Sequence, residues 1–527
     1  MNKIERAKHE KDGLDVFPEL MRAAREGWET LDDDDLMRLK WYGLYPHNAK
    51  DGHFMLRTKV VQGALSADQA DVMASIAADY GRGVIDGTTR QCFQIHWITL
   101  DAIPEIFARL HRVGLTTSGA CGDIARNVVG CTLAGLAHDE VVDGHATAEA
   151  LHRHFLDNAL YSNLPRKYKI SVTGCLEDCA RGLINDIALS GAVAEDGTKG
   201  FNLRAGGGLS SHPRFARWMD VFVTPEEAPE VIEHVTAMFR DAEENRKSRG
   251  KARLKFLVDR IGPEAFRAEL ERRVGRTLAR GVRKAPGLAG EDHIGVTPQT
   301  DGVHSAVGLC VPVGRLGVEQ LYELVRLARE YGTRTDDALR LTHQQNVVLP
   351  WIPNERVRTL LDEPLARRLS PEPTMFTRGL QTCTGKEFCG LAKVHTKSRA
   401  VEIARFLDEH VLPDGHGEDF RLHFAGCSSS CAQHQIADIG IEGVLKKVDG
   451  EFVEAMDIRI GGRLGPDPKF GDVVVRKVPH WELNERLLMV LSLYEQHHVH
   501  GETFRDFAGR TDAEWWSERL AEEVAAA

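Results

Sequence analysis

The strongest constraint on what this chain can fold into is that it repeats itself. "GALSADQADVMASIAADYG" (Gly63 to Gly81) lies without gaps on "GRLGVEQLYELVRLAREYG" (Gly314 to Gly332) at an offset of 251 residues, and "GCLEDCARGLINDIALSGAV" (Gly174 to Val193) lies on "GCSSSCAQHQIADIGIEGVL" (Gly426 to Leu445) at 252. The glycine-rich stretches beyond them also correspond, "LRAGGGLSSHPRFA" from Leu203 with "IRIGGRLGPDPKFG" from Ile458. A near-constant offset over separated blocks identifies a tandem duplication, so two similar halves and a pseudo-twofold architecture are expected.

Local patterns give each half mixed elements. Ala67 to Tyr80 and Val318 to Tyr331 carry apolar residues at helical spacing and stop at a glycine. "CFQIHWITL" (Cys92 to Leu100) and "NVVLPWI" (Asn346 to Ile352) are β-rich apolar runs bounded by polar residues and predict strands. Helices interspersed with short strands predict α+β domains. Residues 1–48 have no counterpart in the second half and are expected as an extension wrapped on the surface. The stretch 244–300 reads as the connection between halves, and "RTDAEWWSERLAEEVAAA" as a final amphipathic helix.

With 527 residues, 42% apolar and 28% charged, the chain has the composition of a multi-domain globular protein. No stretch approaches the ~20 apolar residues of a membrane span. The charged start "MNKIERAKHEKDGLD" lacks the apolar core of a secretion signal, which makes the cytoplasm the expected compartment. A net charge of -11 argues against nucleic acid as a partner. The basic run "RKSRGKARLK" (Arg246 to Lys255) has two readings, the solvated face of a helix or a docking patch for a small acidic partner.

Eight of the ten cysteines fall in pairs. In a reducing compartment such pairs point to metal ligation or catalysis before disulfides. Cys383 and Cys389 in "CTGKEFC", then Cys427 and Cys431 in "CSSSC", present four thiols from two loops. Zinc ribbons favour Cys-x2-Cys knuckles, whereas four thiolates match the four irons of an iron–sulfur cube. The small residues around these cysteines let backbone N–H groups approach the sulfurs.

"TCTGKEFC" and "GCSSSCAQHQIADIG" resemble the cluster motif of the sirohaem-containing assimilatory nitrite and sulfite reductases, and the likeness runs from about residue 36 to 510. The resemblance implies an internally duplicated, pseudo-twofold α+β fold. Its parts would be an N-terminal extension (1–48), two ferredoxin-like half domains (49–115 and 296–367) and two domains binding sirohaem and cluster (116–295 and 368–527). It implies a [4Fe-4S] cluster on Cys383, Cys389, Cys427 and Cys431, with Cys431 bridging the cube to the iron of sirohaem. That family's substrate-binding set falls here on Arg57, Arg126, Lys167 and Lys169, which would bind the anion, neutralise charge and relay protons. The alternation in "LPRKYK" puts Lys167 and Lys169 on one face. "TTRQCFQIH" supplies sirohaem contacts at Thr88, Thr89, Arg90, Gln91, Gln94 and His96. "RAGGGL" supplies Arg204, Gly206, Gly207 and Gly208, glycines that let the backbone reach a carboxylate, and "LTHQQN" supplies Thr342, Gln344 and Asn346.

The first half departs from the family pattern. It keeps Cys121, Cys131, Cys175 and Cys179, the last two at the positions of Cys427 and Cys431, with a first pair spaced Cys-x9-Cys in place of Cys-x5-Cys. Two readings stand: a relic of a duplicated cluster-binding ancestor, or a second metal site. Family positions also set Tyr45 near Cys121 as candidates for a thioether crosslink.

The activity implied is the six-electron reduction of nitrite to ammonia in nitrogen assimilation, by a monomer. Electrons would come from ferredoxin, because the sequence offers no flavin or nicotinamide domain. Lys169 favours the alternative, sulfite to sulfide, since a second cation suits a dianion. Wording such as "KWYGLY" and "SPEPTMFTRGLQTCTGKEFC" lies closer to prokaryotic ferredoxin-dependent nitrite reductases. A related porphyrinoid oxygenase of corrinoid synthesis shares the duplicated plan, but the intact set of four cations weighs against it. A non-enzymatic electron carrier would hold the cluster without sirohaem.

Overall fold

The computed structural model describes residues 2–49, 51–176, 178–283, 292–411 and 420–526. The chain forms two compact units, the first of residues 1–208, 214–309 and 315–371, the second of 209–213, 310–314 and 372–527. Among the described residues there are four five-stranded sheets with helices packed around them, an α+β architecture as expected. No described helix is long and apolar enough to cross a membrane.

The first unit holds a matched pair of antiparallel sheets. One runs Leu44–Pro46, Phe54–Arg57, Phe93–Ile98, Val84–Gly87 and Arg315–Gly317; the other runs Gly295–Pro298, His304–Leu309, Val347–Pro353, Leu339–Leu341 and Ala64–Leu65. The last strand of each comes from the other repeat, and Ala64 and Arg315 are equivalent under the 251-residue offset. Each repeat thereby covers an edge that would otherwise present unpaired N–H and C=O groups. The chain turns into each exchanged strand through equivalent left-handed residues, Gln62 (φ 48) and Val313 (φ 54).

Two buried amides repeat the exchange. Gln91 Nε2 donates to the Leu341 carbonyl at 3.0 Å, and its equivalent Gln345 donates to the Gly87 carbonyl at 2.9 Å. The Gln91 Oε1 also accepts from the Gly130 N–H at 2.9 Å. The helices Ala67–Tyr80 and Val318–Tyr331 form over the residues expected and pack on each other, the first held by a capping box between Ser66 and Gln69. The predicted strands appear as Phe93–Ile98 and Val347–Pro353, and the C-terminal helix as Ala513–Ala526.

The remaining two sheets are also counterparts. In the first unit the order is Val129–Gly130, Ile170–Thr173, Ile187–Val193, Lys199–Ala205 and Arg217–Val223; in the second it is Leu380–Thr382, Leu422–Ala425, Ile439–Val448, Glu451–Ile460 and Asp472–Pro479. In both, the first three strands are parallel and the rest antiparallel. Parallel neighbours discharge their following loops at the same sheet end, and it is those loops that carry the cysteines. Each sheet is backed by its own core, around Phe155, Tyr168 and Phe239 in the first unit and Phe376, Phe424 and Trp516 in the second.

Three expectations are modified by the structure. The N-terminal extension is built into the first unit: Ala7 and Lys8 of helix Lys3–Glu10 are buried, Lys8 Nζ donates to the Leu164 carbonyl at 2.7 Å, and the buried Trp41 indole donates to the Ser162 carbonyl at 2.7 Å. The stretch 244–300 contains helix Leu254–Val274, which buries Leu254, Val258, Phe266 and Leu270; residues 284–291 lie outside the described residues. The basic run is solvated only in part: Lys247 and Lys251 are exposed, while its other cations turn onto partners within the chain. Arg246 pairs with Glu5 (2.7 Å), Arg249 with Asp123 (2.9 Å), Arg253 forks onto Asp186 (2.8 and 2.7 Å), and Lys255 donates to the Gly208 carbonyl at 3.3 Å. Buried carboxylates require a counter-charge, and this run supplies it from within the chain.

The doubly engaged Gln91 generates a test. Gln91→Ala should leave the Leu341 carbonyl and the Gly130 N–H without their partner, at a cost of roughly 2 kcal/mol, and lower the thermal unfolding midpoint by several degrees in differential scanning calorimetry, whereas substituting the exposed Glu105 should leave it unmoved.

Candidate functional site

Two centres carry the expected residues, one in each unit. The first is cationic. Arg57 ends its strand opposite Gln94, which faces Asp86 on its other side. Ala125 and Tyr168 make a parallel bridge, with Arg126 N–H donating to the Tyr168 carbonyl (2.8 Å) and Tyr168 N–H to the Ile124 carbonyl (3.1 Å). Tyr168 is fully buried in the core, which turns its neighbours Lys167 and Lys169 to the opposite, part-exposed face, and the same alternation assigns Arg126 to that side. The Arg126 guanidinium is held by the Gly122 carbonyl at 2.8 and 2.6 Å.

Arg90 lies among these charges. Its guanidinium donates to Asn185 Oδ1 at 2.8 Å, while its Nε is buried without a hydrogen-bond partner among the described residues. Burial drives its pKa down, with the Arg126 and Arg57 charges acting in the same direction. Tyr45, pushed up to about 12 by burial, hydrogen-bonds Cys121 and lies within electrostatic reach of Arg57 and Arg126. Sequence reasoning overlooked Lys59, two residues after Arg57, which burial pushes down to about 8, again with Arg126 adding. Its spacing from Arg57 in "RTK" was the available signal. So much buried positive charge favours an anion in its midst, and an orphaned guanidinium N–H suits a carboxylate-bearing macrocycle.

The remaining expected contacts are partly committed to the fold. The Gln91 amide serves the exchange between repeats. Thr88 and Thr342 hydroxyls close equivalent turns, Thr88 accepting from Arg90 N–H (3.3 Å) and Thr342 from Gln344 and Asn346 N–H (3.1 and 3.0 Å). His96 sits 3.4 Å from Asp86, which also holds Arg315 at 2.9 Å; Thr89 is half-buried in the same loop. Arg204 stacks over Trp218 at 5.2 Å. Gly206 adopts φ 87, and Gly208 bridges Arg214. A Cβ on Gly207 would fall 2.4 and 2.5 Å from the carbonyl oxygens of Asn185 and Leu183, so close packing within the fold already demands glycine there.

The second centre is the thiol set. Cys383 follows strand Leu380–Thr382 and Cys427 follows Leu422–Ala425, the parallel pair that brings the two loops together. None of the four is in a disulfide; Cys431 is exposed and Cys383, Cys389 and Cys427 are half-buried. Backbone N–H groups already point at the sulfurs: Gly426 donates to Cys383 at 3.1 Å, Gly385 also reaches Cys383, and Leu391 and Ala392 reach Cys389. Cys383 is pushed up to about 12 by burial and by Cys431. A Cβ on Gly385 would meet Thr396 Oγ1 at 2.4 Å. Thiols with converging N–H donors fit an iron–sulfur cluster, whose sulfur charge those donors stabilise. Behind the loop, buried His434 joins Ser430 Oγ (3.2 Å) to Glu442 (3.1 Å), and Glu442 pairs with Arg459 (3.2 Å). The first repeat has Gly182 in place of His434, a difference legible in the aligned blocks but not recognised as a brace.

Comparison with known proteins gives the chain's family. The profile of the "Nitrite and sulphite reductase 4Fe-4S domain" matches residues 121–278 and 375–526, and that of the "Nitrite/Sulfite reductase ferredoxin-like half domain" matches 46–113 and 297–367. The chain belongs to the nitrite and sulphite reductase family. It is 38% identical to the assimilatory ferredoxin-dependent nitrite reductase of Haloferax mediterranei, over 96% of this chain and 91% of that protein. It is 34% identical to the sulfite reductase [ferredoxin] 1 of Mycolicibacterium paratuberculosis, over 98% and 96%. The solved structure of the Mycobacterium tuberculosis NirA protein superposes with a TM-score of 0.91 at 33% identity, covering 98% of this chain and 97% of that one.

Behind the cationic centre, the buried Asp123 gathers Lys8 (3.4 Å), Arg166 (3.4 Å) and Arg249 (2.9 Å). Burial opposes its charge, yet Arg249, Lys8 and Arg166 prevail and hold its carboxyl below the ordinary range. Its folded pKa being depressed, the stabilisation is fully present above the unfolded value of about 3.9 and is lost as pH falls towards the folded one. Asp123→Asn should therefore destabilise the first unit by roughly 3 to 5 kcal/mol at pH 7, and the gap in thermal midpoint between variant and parent should narrow below about pH 4.

Proposed function

We propose that this protein is a ferredoxin-dependent nitrite reductase of nitrogen assimilation, converting nitrite, six electrons and eight protons to ammonium and two waters. The reading rests on the presence, in one chain, of four thiols, two of them (Cys383 and Cys389) receiving backbone N–H bonds, and a buried centre of positive charge with an unmet Arg90 Nε donor. Nitrite is preferred because the Haloferax relative named for that activity is more similar than the sulfite reductase relative, 38% against 34% identity.

Cys383, Cys389, Cys427 and Cys431 would hold a [4Fe-4S] cluster, and the residues of the cationic centre a sirohaem. Bound, the two groups would supply single-electron chemistry for reduction of the anion, with ferredoxin as donor. Arg90 and Arg204 would meet macrocycle carboxylates, with Thr88, Thr89, Gln94, His96, Gly206, Gly208, Thr342, Gln344 and Asn346 as further contacts. Arg57, Arg126, Lys167 and Lys169 would bind the anion and offset its charge. Lysine ammonium groups can also donate protons to departing oxygens. The enzyme would act as a cytoplasmic monomer.

Lys169 supports one second reading, sulfite reduction, because an added cation suits a doubly charged anion. Turnover of nitrite and sulfite measured side by side with reduced ferredoxin decides: kcat/KM should favour nitrite by tenfold or more, and the reverse order would overturn the assignment. Lys167→Met should lower kcat/KM for nitrite by about 100-fold with sirohaem absorbance retained, the size expected for losing one charge-stabilising donor.

A further inference from the structure

The first repeat's cysteines do not form a copy of the second repeat's quartet. Under the 252-residue offset Cys131, Cys175 and Cys179 stand at the positions of Cys383, Cys427 and Cys431, but Ala137 stands where Cys389 does. Cys121, paired with Cys131 by sequence proximity, belongs instead with Tyr45. A cube at this place would have three thiolates.

A different fourth group takes part. Cys131, Cys179 and His293 place their ligand atoms within 4.8 Å of one another, with His293 Nε2 3.8 Å from Cys131 Sγ. Among the described residues this is the set of three metal-ligating side chains found so close together. Cys175 lies outside that set of three but hydrogen-bonds to Cys131, one short side-chain movement from serving as a fourth ligand. The strand geometry explains three of the four: Val129–Gly130 and Ile170–Thr173 are parallel, so Cys131 and the Cys175 to Cys179 loop emerge at one sheet end. His293 arrives from the stretch leading into strand Gly295–Pro298.

We infer that Cys131, Cys175, Cys179 and His293 form a structural zinc site. Tetrahedral zinc, with sulfur at about 2.3 Å and imidazole nitrogen at about 2.0 Å, sets its ligand atoms roughly 3.8 Å apart or slightly less. The observed crowding matches a single ion; an iron–sulfur cube inserts eight atoms among its ligands and spreads them further. Three thiolates and one imidazole are a closed donor set for structural zinc. Binding would displace the thiol protons and make the ligands' mutual hydrogen bonds unnecessary. The site is also braced from outside. Arg340, forked onto Asp337, donates to the Thr132 and Ala134 carbonyls at 2.9 and 2.7 Å, and Thr300 N–H donates to the Leu136 carbonyl at 3.0 Å. Buried apolar neighbours Leu133, Leu136, Ala306 and Val348 exclude water around Cys131 and Cys175. The ion would fasten the first repeat's cysteine loops to the entry strand of the second repeat's ferredoxin-like sheet.

Elemental analysis of the intact holoenzyme, purified from zinc-supplemented cells, tests this. About one zinc and about five irons per chain are expected, with X-ray absorption at the zinc edge giving three sulfurs and one nitrogen. Cys131→Ser and His293→Gln should each cut zinc tenfold or more while iron and sirohaem absorbance stay at parent levels. A zinc-free parent, a zinc shell of oxygen and nitrogen alone, an iron count near nine, or zinc retained in both variants would overturn the assignment. Should a variant fail to fold, the parent's zinc content and edge spectrum decide.

Discussion

Main-chain hydrogen bonds that cross between the two repeats are what the rest of the first unit depends on. Ala64–Leu65 completes the sheet of the second repeat, and Arg315–Gly317 completes that of the first. Neither ferredoxin-like sheet closes with its own strands. Gln91 and Gln345 extend the exchange to the ends of the receiving strands. The consequence reaches chemistry: the loop that presents Arg90 follows Val84–Gly87, a strand paired to the opposite repeat, so a cation of the candidate site is stationed by both halves at once.

Around that frame the charge is organised against the sign of the whole chain. A protein of net charge -11 gathers Arg57, Lys59, Arg90 and Arg126 in one buried region. It keeps the region folded by placing acids behind it. Asp123 answers Lys8, Arg166 and Arg249, while Asp186 accepts from Arg253 and from the Lys169 N–H. The bond to Lys169 fixes the backbone of the very segment that offers Lys167 and Lys169, so the acids position the cations as well as compensate others. Such pairs are worth little as net stability but are expensive to break singly.

The two cysteine-bearing sheets show how a duplicated scaffold diverges without changing topology. Both put one cysteine after the outer parallel strand and two after its neighbour. In the second repeat Cys389 supplies the fourth sulfur and His434 braces the loop from a buried position. In the first, Ala137 and Gly182 stand at those places, and an imidazole from outside the aligned block, His293, enters the vacated neighbourhood. One sheet edge thus serves two donor sets, because strand direction, not the ligands, decides where the loops meet.

The sequence by itself determined the duplication, the paired helices Ala67–Tyr80 and Val318–Tyr331, the strands that begin near Phe93 and Val347, and the four thiols of the second repeat. Those features are written in local periodicity and in short motifs, where a residue's neighbours along the chain set its environment. The tertiary structure decided what contacts across hundreds of residues control. It turned the basic run from Arg246 inward onto Glu5, Asp123 and Asp186, buried Lys8 of the supposed surface extension, assigned Gln91 to the other repeat, and separated Cys121 from Cys131. No periodicity encodes those pairings, because a buried charge or thiol takes its partner from whichever segment the strand order brings alongside.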